Sequence, residues 1–226
     1  EKKHQTQSQS SVRVRKGAFE TSPVQSSPSI TMTSVQSMLS AFDSAFSLSA
    51  PAVHVGTQLV HEVWLGRLHN VSSLVVEHGA DINASADVPE FCNHPVTPLC
   101  MSAACGHPDA TALLLRMGAC VNQACVGFTP LYLASQRGHV ECVRLLLAAH
   151  AATDLTAPDG ATPLMIACHQ GHARVVECLL QAGASPAART TDGSALTPAD
   201  IAAAARHAEC VCILQACQAM QSEMSL

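Results

Sequence analysis

Eleven cysteines, all between Cys92 and Cys217, and twelve histidines are the residues of this 226-residue chain whose types are suited to metal binding or nucleophilic chemistry. The densest group is His207, Cys210, Cys212 and Cys217, and imidazole and thiolate are the ligands that zinc prefers. On a helix, Cys210 and Cys217 share one face while Cys212 points elsewhere, so one ion cannot collect all four without unwinding the helix. We therefore expect no metal site, and we expect the cysteines to fill small gaps in a core.

Catalysis finds little support in the order of the residues. No Ser/His/Asp or Cys/His set can be aligned from its spacing, and no Gly-rich loop follows a strand to hold phosphate. The sequence accordingly predicts a protein that is not an enzyme and that needs no cofactor.

The charge and hydropathy of the chain argue against nucleic acid as a partner and against insertion into a membrane. The net charge is −5, and residues 51–226 carry seven Arg, no Lys and fourteen acidic residues, so clustered cations for nucleic-acid phosphates are missing. The sequence has no uninterrupted apolar run of about 18 residues or more, so no membrane span is expected.

The odd number of cysteines fits reduced thiols better than a disulfide framework. A reducing compartment inside the cell, the cytoplasm first, is therefore expected. The mitochondrion and the cytoskeleton or cilium are alternatives. Arg13, Arg15 and Lys16 fit the remnant of a processed organelle-targeting segment, and a start trimmed at Glu1 is the other interpretation of this end.

A repeated pattern indicates the elements that must position these side chains. Residues 97–107, 129–139 and 162–172 each open with Thr-Pro-Leu and close with Gly-His, and the interval from Thr to Gly is nine residues. Successive threonines lie 32 and 33 residues apart. This period is typical of helix pairs that stack on one another instead of folding alone.

The repeated residues are start and stop signals of helices. Thr is a good N-cap, Pro fits the first helical position, and Gly provides the left-handed residue that ends the helix. Second helices are predicted near residues 109–117, 141–149 and 174–182. His150 stands where Gly is expected, which predicts a strained left-handed residue.

The pattern resembles the ankyrin repeat, whose consensus includes Thr-Pro-Leu-His, Gly-His and Gly-Ala-Asp-Val-Asn; residues 79–83 and 118–122 are close to that last motif. The resemblance implies an all-α solenoid of helix–loop–helix units with short β-hairpin loops and a concave binding face. Five repeats are expected, starting near residues 57, 97, 129, 162 and 197, within a domain of residues 51–218 that is followed by a short tail, 219–226. The terminal copies are degenerate, and insertions are placed at about 85–95 and 188–195.

Residues 1–50 are interpreted as an extended Ser/Thr/Gln-rich arm. Within it, residues 34–47 show helical spacing of apolar side chains, with Met38, Leu39, Phe42 and Phe46 as anchors. This helix either packs on the first repeat as a cap or docks into a partner.

The histidines that follow the glycines recur once per repeat, at His107, His139, His172 and His207. The resemblance implies that they bond neighbouring loop backbone. A ladder of imidazoles that senses pH is the alternative.

Partner contacts are predicted at positions that stacking leaves free. These are the hairpin tips and the groove side of the first helices, namely Phe128, Tyr132, Gln136, Arg137, Asp159, Met165, His169 and Gln170. Aromatic and Arg side chains are common binding hot spots. The alternative for Tyr132 and Met165 is that they pack between adjacent first helices.

The predicted function is a non-enzymatic protein-interaction module, a scaffold or accessory subunit of a larger multi-subunit complex. Alternatives are a soluble regulator and a ubiquitin-ligase substrate adaptor. The adaptor is less favoured, because only nine residues follow Cys217 and a ligase-recruiting helical box needs more.

Overall fold

The computed structural model describes residues 51–88, 92–190 and 195–223. The predicted arm, with its helix near 34–47 and the anchors Met38, Leu39, Phe42 and Phe46, lies outside the described residues, so its role stays a prediction.

The described residues form five consecutive helix pairs. Repeat 1 holds α1 (Pro51–Trp64) and α2 (Leu68–Val76), and repeat 2 holds α3 (Pro98–Cys105) and α4 (Pro108–Arg116). Repeat 3 holds α5 (Pro130–Arg137) and α6 (Val140–Ala148), repeat 4 holds α7 (Pro163–Gln170) and α8 (Ala173–Gln181), and repeat 5 holds α9 (Pro198–Ala204) and α10 (Ala208–Glu223). Each first helix contacts the next first helix, and each second helix contacts the next second helix, so the pairs stack in series as a mostly helical solenoid. The predicted all-α class is confirmed.

Local signals set the helix boundaries as the sequence predicts. The hydroxyl of Thr129 accepts a hydrogen bond from the Tyr132 backbone N–H at 3.2 Å, Pro130 follows as the first helical residue, and Gly138 ends α5 at φ 76°. Thr97 with Gly106 and Thr162 with Gly171 do the same for α3 and α7. Each cap satisfies a backbone donor that a helix end leaves without a partner.

His150 confirms the prediction of a strained position, with φ 62°, and Arg206 takes the same left-handed conformation in repeat 5 at φ 64°. Both residues stand where other repeats have Gly. A side chain there costs roughly 1–2 kcal/mol, because Cβ approaches the following carbonyl oxygen.

Two predicted boundaries are corrected. Thr57 lies inside α1, which begins at Pro51; Gln58 replaces the helix-starting Pro at this place, so no signal interrupts the helix there. At the other end, α10 continues to Glu223, past position 218, because no Gly or Pro stops it.

The insertion predicted near 85–95 contains a β-hairpin. Strand β1 (Ala86–Val88) pairs antiparallel with β2 (Cys92–Val96), with Ala86 opposite Val96, Asp87 opposite Pro95 and Val88 opposite Cys92, and with an irregularity after Asp87. Repeat 3 has a shorter hairpin, in which Cys125 and Phe128 exchange two backbone hydrogen bonds of 2.9 Å each.

The core runs between the two helix layers. Leu114, Leu146, Leu179 and Leu214 occupy the same position of successive second helices, and all four are fully buried. Burial of one such leucine contributes roughly 1.5–3 kcal/mol. Small residues face them from the first helices, where Ala134, Ala167 and Ala202 are also fully buried, so the helices approach closely.

Candidate functional site

The histidine ladder is the most regular polar feature of the structure. Nε2 of His107, His139, His172 and His207 lies 3.0, 3.2, 3.2 and 3.1 Å from the carbonyl oxygens of Trp64, Ala104, Gln136 and His169, respectively. Each acceptor belongs to the preceding repeat, near the end of its first helix. Because a carbonyl oxygen only accepts, Nε2 carries the proton in every rung. These imidazoles tie the repeats together, which is the structural role that the resemblance implies.

A second ladder, a series of hydrogen bonds not predicted from the sequence, joins the turns that follow the second helices of successive repeats. The backbone N–H of Cys120 donates to Asn83 Oδ1 at 2.7 Å, and that of Ala152 donates to Asn122 Oδ1 at 2.9 Å. Ser185 N–H completes the series with Asp154 Oδ1 at 3.2 Å. The recurrence of Asn at the end of Gly-Ala-x-x-Asn was the available signal.

Two of the predicted partner residues are buried. Tyr132 is 2% exposed and Met165 is 0% exposed, so both pack between the first helices, as the alternative stated. Burial raises the pKa of Tyr132 to about 12, and the nearby Asp159 carboxylate adds to the rise. The Met165 sulfur takes part in the cap of its own helix, 3.5 Å from the Thr162 backbone nitrogen. The prediction that Tyr132 and Met165 contact a partner is therefore wrong, because neighbouring repeats cover both side chains.

The other six predicted residues remain at the surface, wholly or in part, and fall into two groups. Phe128 and Asp159 lie at the hairpin end, where the Phe128 ring is half-buried with its centroid 5.2 Å from that of Tyr132. Gln136, Arg137, His169 and Gln170 lie in the last turns of α5 and α7. An eight-residue helix separates the groups by about 12 Å. Their contact with a partner stays a prediction.

A cleft of about 530 Å³ opens beside the second group, and sequence reasoning missed it. Its walls come from three repeats: Trp64, Arg137, the small Ala104 with Cys105, and the ladder residues His107 and His139. Trp64, Ala104 and Gln136 occupy the same position of successive first helices. Ala104 is much smaller than Trp64 and Gln136 on either side of it, and this difference in size leaves the cleft open.

Burial and the charge of Arg137 both act on the titratable groups of this cleft. Burial raises the pKa of Cys105 to about 11, although the Arg137 guanidinium opposes the rise. Burial also lowers the pKa of His139, and Arg137 adds to the lowering. Arg137 also lines the cleft, so its positive charge lies beside both groups.

The residues weighed as zinc ligands and rejected, His207, Cys210, Cys212 and Cys217, differ in their exposure. Cys210 is buried in the core, whereas Cys212 is exposed on the same helix. Within residues 51–88, 92–190 and 195–223, no three His, Cys, Asp or Glu side chains come together as a metal site. Over those same residues, no helix has the length and hydrophobicity to span a bilayer.

Comparison with known proteins identifies the fold family. A family model described as ankyrin repeats in three copies matches residues 59–159 and, again, residues 146–222. A search of curated proteins returns no match to the chain. The two family matches run together from repeat 1 to the last helix and cover the helix pairs, the left-handed glycines and the histidine ladder described above. The chain belongs to the ankyrin-repeat family, whose members are protein–protein interaction modules and are generally not enzymes.

Proposed function

We propose that this chain is a non-enzymatic scaffold or accessory subunit of a larger assembly, and that it binds a protein partner at the cleft between Trp64 and Arg137. The surrounding contacts are Gln136, His169 and Gln170, and Phe128 with Asp159 extends the surface toward the hairpins. A reducing compartment suits its free thiols.

Arg137 is the observation that carries this proposal. Among the described residues, no carboxylate lies within ion-pair distance of its exposed guanidinium. Two other arginines are already paired: Arg67 with Glu62 at 3.8 Å, and Arg144 with Glu141 at 4.0 Å. An unpaired cation beside a cleft is complementary to a partner's carboxylate, with which Arg forms two parallel hydrogen bonds.

Trp64 supports the same surface. It lines the same cleft as Arg137 and is partly buried, with its ring edge-on to the His61 ring at 5.8 Å between centroids. Trp and Arg are the residue types most enriched at binding hot spots, especially where a pocket excludes water. The His and Asn ladders, in contrast, have their polar groups engaged between repeats and contribute to stacking.

Replacing Arg137 by Glu tests the proposal, with Arg144→Glu as the matched control. Both side chains are exposed and both substitutions change the net charge by the same amount, but Arg144 lies on the second helix of repeat 3, away from the cleft. In native extract, we expect the Arg137→Glu protein to elute as a smaller species while Arg144→Glu and the unchanged protein elute together in a large complex. Equal thermal unfolding of the two variants rules out misfolding.

Retention of Arg137→Glu in the large complex would show that the cleft is not the contact. Elution of the unchanged protein as a free monomer would instead favour the regulator or adaptor function over a permanent subunit.

A further inference from the structure

Cys100 and Cys125 come together at the cap of α3, although they belong to consecutive repeats. Cys100 is the third residue of that helix and is fully buried, whereas Cys125 lies in the hairpin of repeat 3 and is 7% exposed. Thr97 contacts both. Its backbone N–H donates to Cys125 Sγ at 3.2 Å, its hydroxyl oxygen lies 3.4 Å from the same sulfur, and that oxygen accepts from the Cys100 backbone N–H at 3.3 Å.

The two thiols are chemically unequal. Interaction with Cys125 raises the pKa of Cys100, an effect that burial strengthens. The same interaction lowers the pKa of Cys125, and the Thr97 N–H at 3.2 Å and hydroxyl at 3.4 Å from its sulfur favour the Cys125 thiolate further. Because a thiolate is the nucleophilic form, Cys125 is the attacking sulfur and Cys100 is its neighbour.

Other cysteine neighbours in adjacent repeats lack this arrangement. Burial raises the pKa of Cys168, near Cys210, to about 12, and it raises the pKa of Cys105, near Cys142, to about 11. Cys142 has one contact that favours a thiolate, from the Thr111 hydroxyl at 3.7 Å, but burial still raises the pKa of Cys142. Cys125 is distinguished by two closer contacts from Thr97, at 3.2 and 3.4 Å.

The hairpin beside Cys125 is exposed and strained at its tip. Val126 is 50% exposed and has φ 52°, a left-handed conformation that is unfavourable for a β-branched residue. Two backbone hydrogen bonds between Cys125 and Phe128 close this short loop. Local opening of this turn would release the strain at Val126 and would give a small oxidant access to Cys125.

We propose that Cys100 and Cys125 form a redox-active dithiol, which a hydroperoxide converts into an intramolecular disulfide. The Cys125 thiolate attacks one peroxide oxygen, the O–O bond breaks, and the hydroxide that leaves takes a proton to become water. The Cys100 sulfur then attacks the sulfenic acid of Cys125, and the S–O bond breaks. The displaced hydroxide takes the proton of Cys100 as a second water. Two thiols lose two electrons in total, and one hydrogen peroxide is reduced to two waters.

Oxidation changes the contact between repeats 2 and 3. The Cys100 sulfur lies 3.5 Å from the carbonyl oxygen of Gln123 and 3.8 Å from that of Phe128, so its single S–H donates to one of the two at a time, and the disulfide removes this donor. A covalent link replaces it directly beside Phe128. The disulfide would therefore lie beside the surface formed by Phe128 and Asp159, at the opposite end of the first helices from the cleft. This redox site is separate from the partner contact proposed at the cleft.

Peptide mapping of the full reduced chain after treatment with hydrogen peroxide under native conditions tests this proposal. We expect a linked pair of peptides that joins Cys100 to Cys125, with the loss of two free thiols and restoration by dithiothreitol. The Cys100→Ser variant should instead accumulate a Cys125 sulfenic acid that dimedone traps. Cys120→Ser is the matched control, because Cys120 is an exposed thiol near Cys125, and this variant should still form the link.

The proposal fails if peroxide oxidises the exposed Cys120 and Cys212 while Cys100 and Cys125 both remain open to alkylation after unfolding. It also fails if Cys125 is found linked to Cys120. Both results are read from the unchanged protein, so neither depends on the folding of a variant.

Discussion

The imidazole of His172 occupies the space in which Gly138 would carry a side chain. Nε2 of His172 reaches the Gln136 carbonyl at 3.2 Å, and a Cβ built on Gly138 would lie 2.6 Å from His172 Nδ1. Gly106 with His139 and Gly171 with His207 repeat this relationship at 2.5 Å. The glycine is therefore required twice, for its left-handed backbone and for the ring of the next repeat.

We expect Gly138→Ala to destabilise the protein more than Gly118→Ala. Both glycines have positive φ, 76° and 91°, so each substitution costs roughly 1–2 kcal/mol in backbone strain. Only Gly138 faces a ring, and displacing it weakens a hydrogen bond that contributes about 1 kcal/mol. Urea unfolding of the two variants measures the difference, and equal losses of stability would contradict the steric role of the histidine.

Replacing His150 by Gly should stabilise the protein by about 0.5–1 kcal/mol. The gain comes from removing a side chain at φ 62°, and it is partly offset by the greater freedom of Gly in the unfolded chain. His150→Ala is the control, since it keeps Cβ and should show no comparable gain. Thermal unfolding compares the three proteins, and a gain in the Ala variant of the same size would point to the imidazole instead of the backbone.

Two buried serines on first helices should respond in opposite directions to replacement by Ala. Ser135 Oγ has no hydrogen-bond partner among the described residues, so Ser135→Ala should raise stability by roughly 1 kcal/mol. Ser102 Oγ donates to the Leu99 carbonyl at 2.9 Å and accepts from Thr111 Oγ1 at 3.0 Å, so Ser102→Ala should lower it by about the same amount. Denaturant unfolding decides, and losses in both variants would mean that Ser135 has a partner such as a bound water.

Acidification should destabilise the protein through His139. Burial, aided by Arg137, holds the pKa of His139 below its unfolded value of about 6.5. The unfolded chain therefore binds the proton first, and the stability contributed by His139, fully present above pH 6.5, is lost as the pH falls toward its folded pKa. Arg137→Gln should raise the pKa of His139 and reduce this loss, whereas Arg144→Gln should not. Imidazole NMR titration gives the pKa directly, and an unchanged value in Arg137→Gln would refute the coupling.

Much of the fold was predictable because its signals are local. Thr129, Pro130 and Gly138 start and stop α5 through backbone dihedrals and caps that involve only near neighbours in the chain. The predicted helix start at Thr57 was wrong for the same reason: Thr57 resembles a cap but lacks the following Pro, and α1 runs through it.

The candidate site was predicted less well because burial depends on distant residues. Tyr132 and Met165 occupy the same position of successive first helices as Cys100, and neighbouring repeats cover all three. Whether a side chain at this position meets a partner or a neighbouring repeat is decided by the stacking distance. The cleft was missed because three repeats contribute its walls.

The amino-acid sequence by itself determined the repeat, the starts and ends of the first helices in repeats 2 to 4 and the left-handed glycines that end them, since each follows from the conformational preferences of a few adjacent residues. Only the tertiary structure decided that Arg137 faces a cleft and that Cys100 meets Cys125 at the Thr97 cap. These groups are brought together by stacking, which depends on the size of side chains some 25 to 40 residues away along the chain.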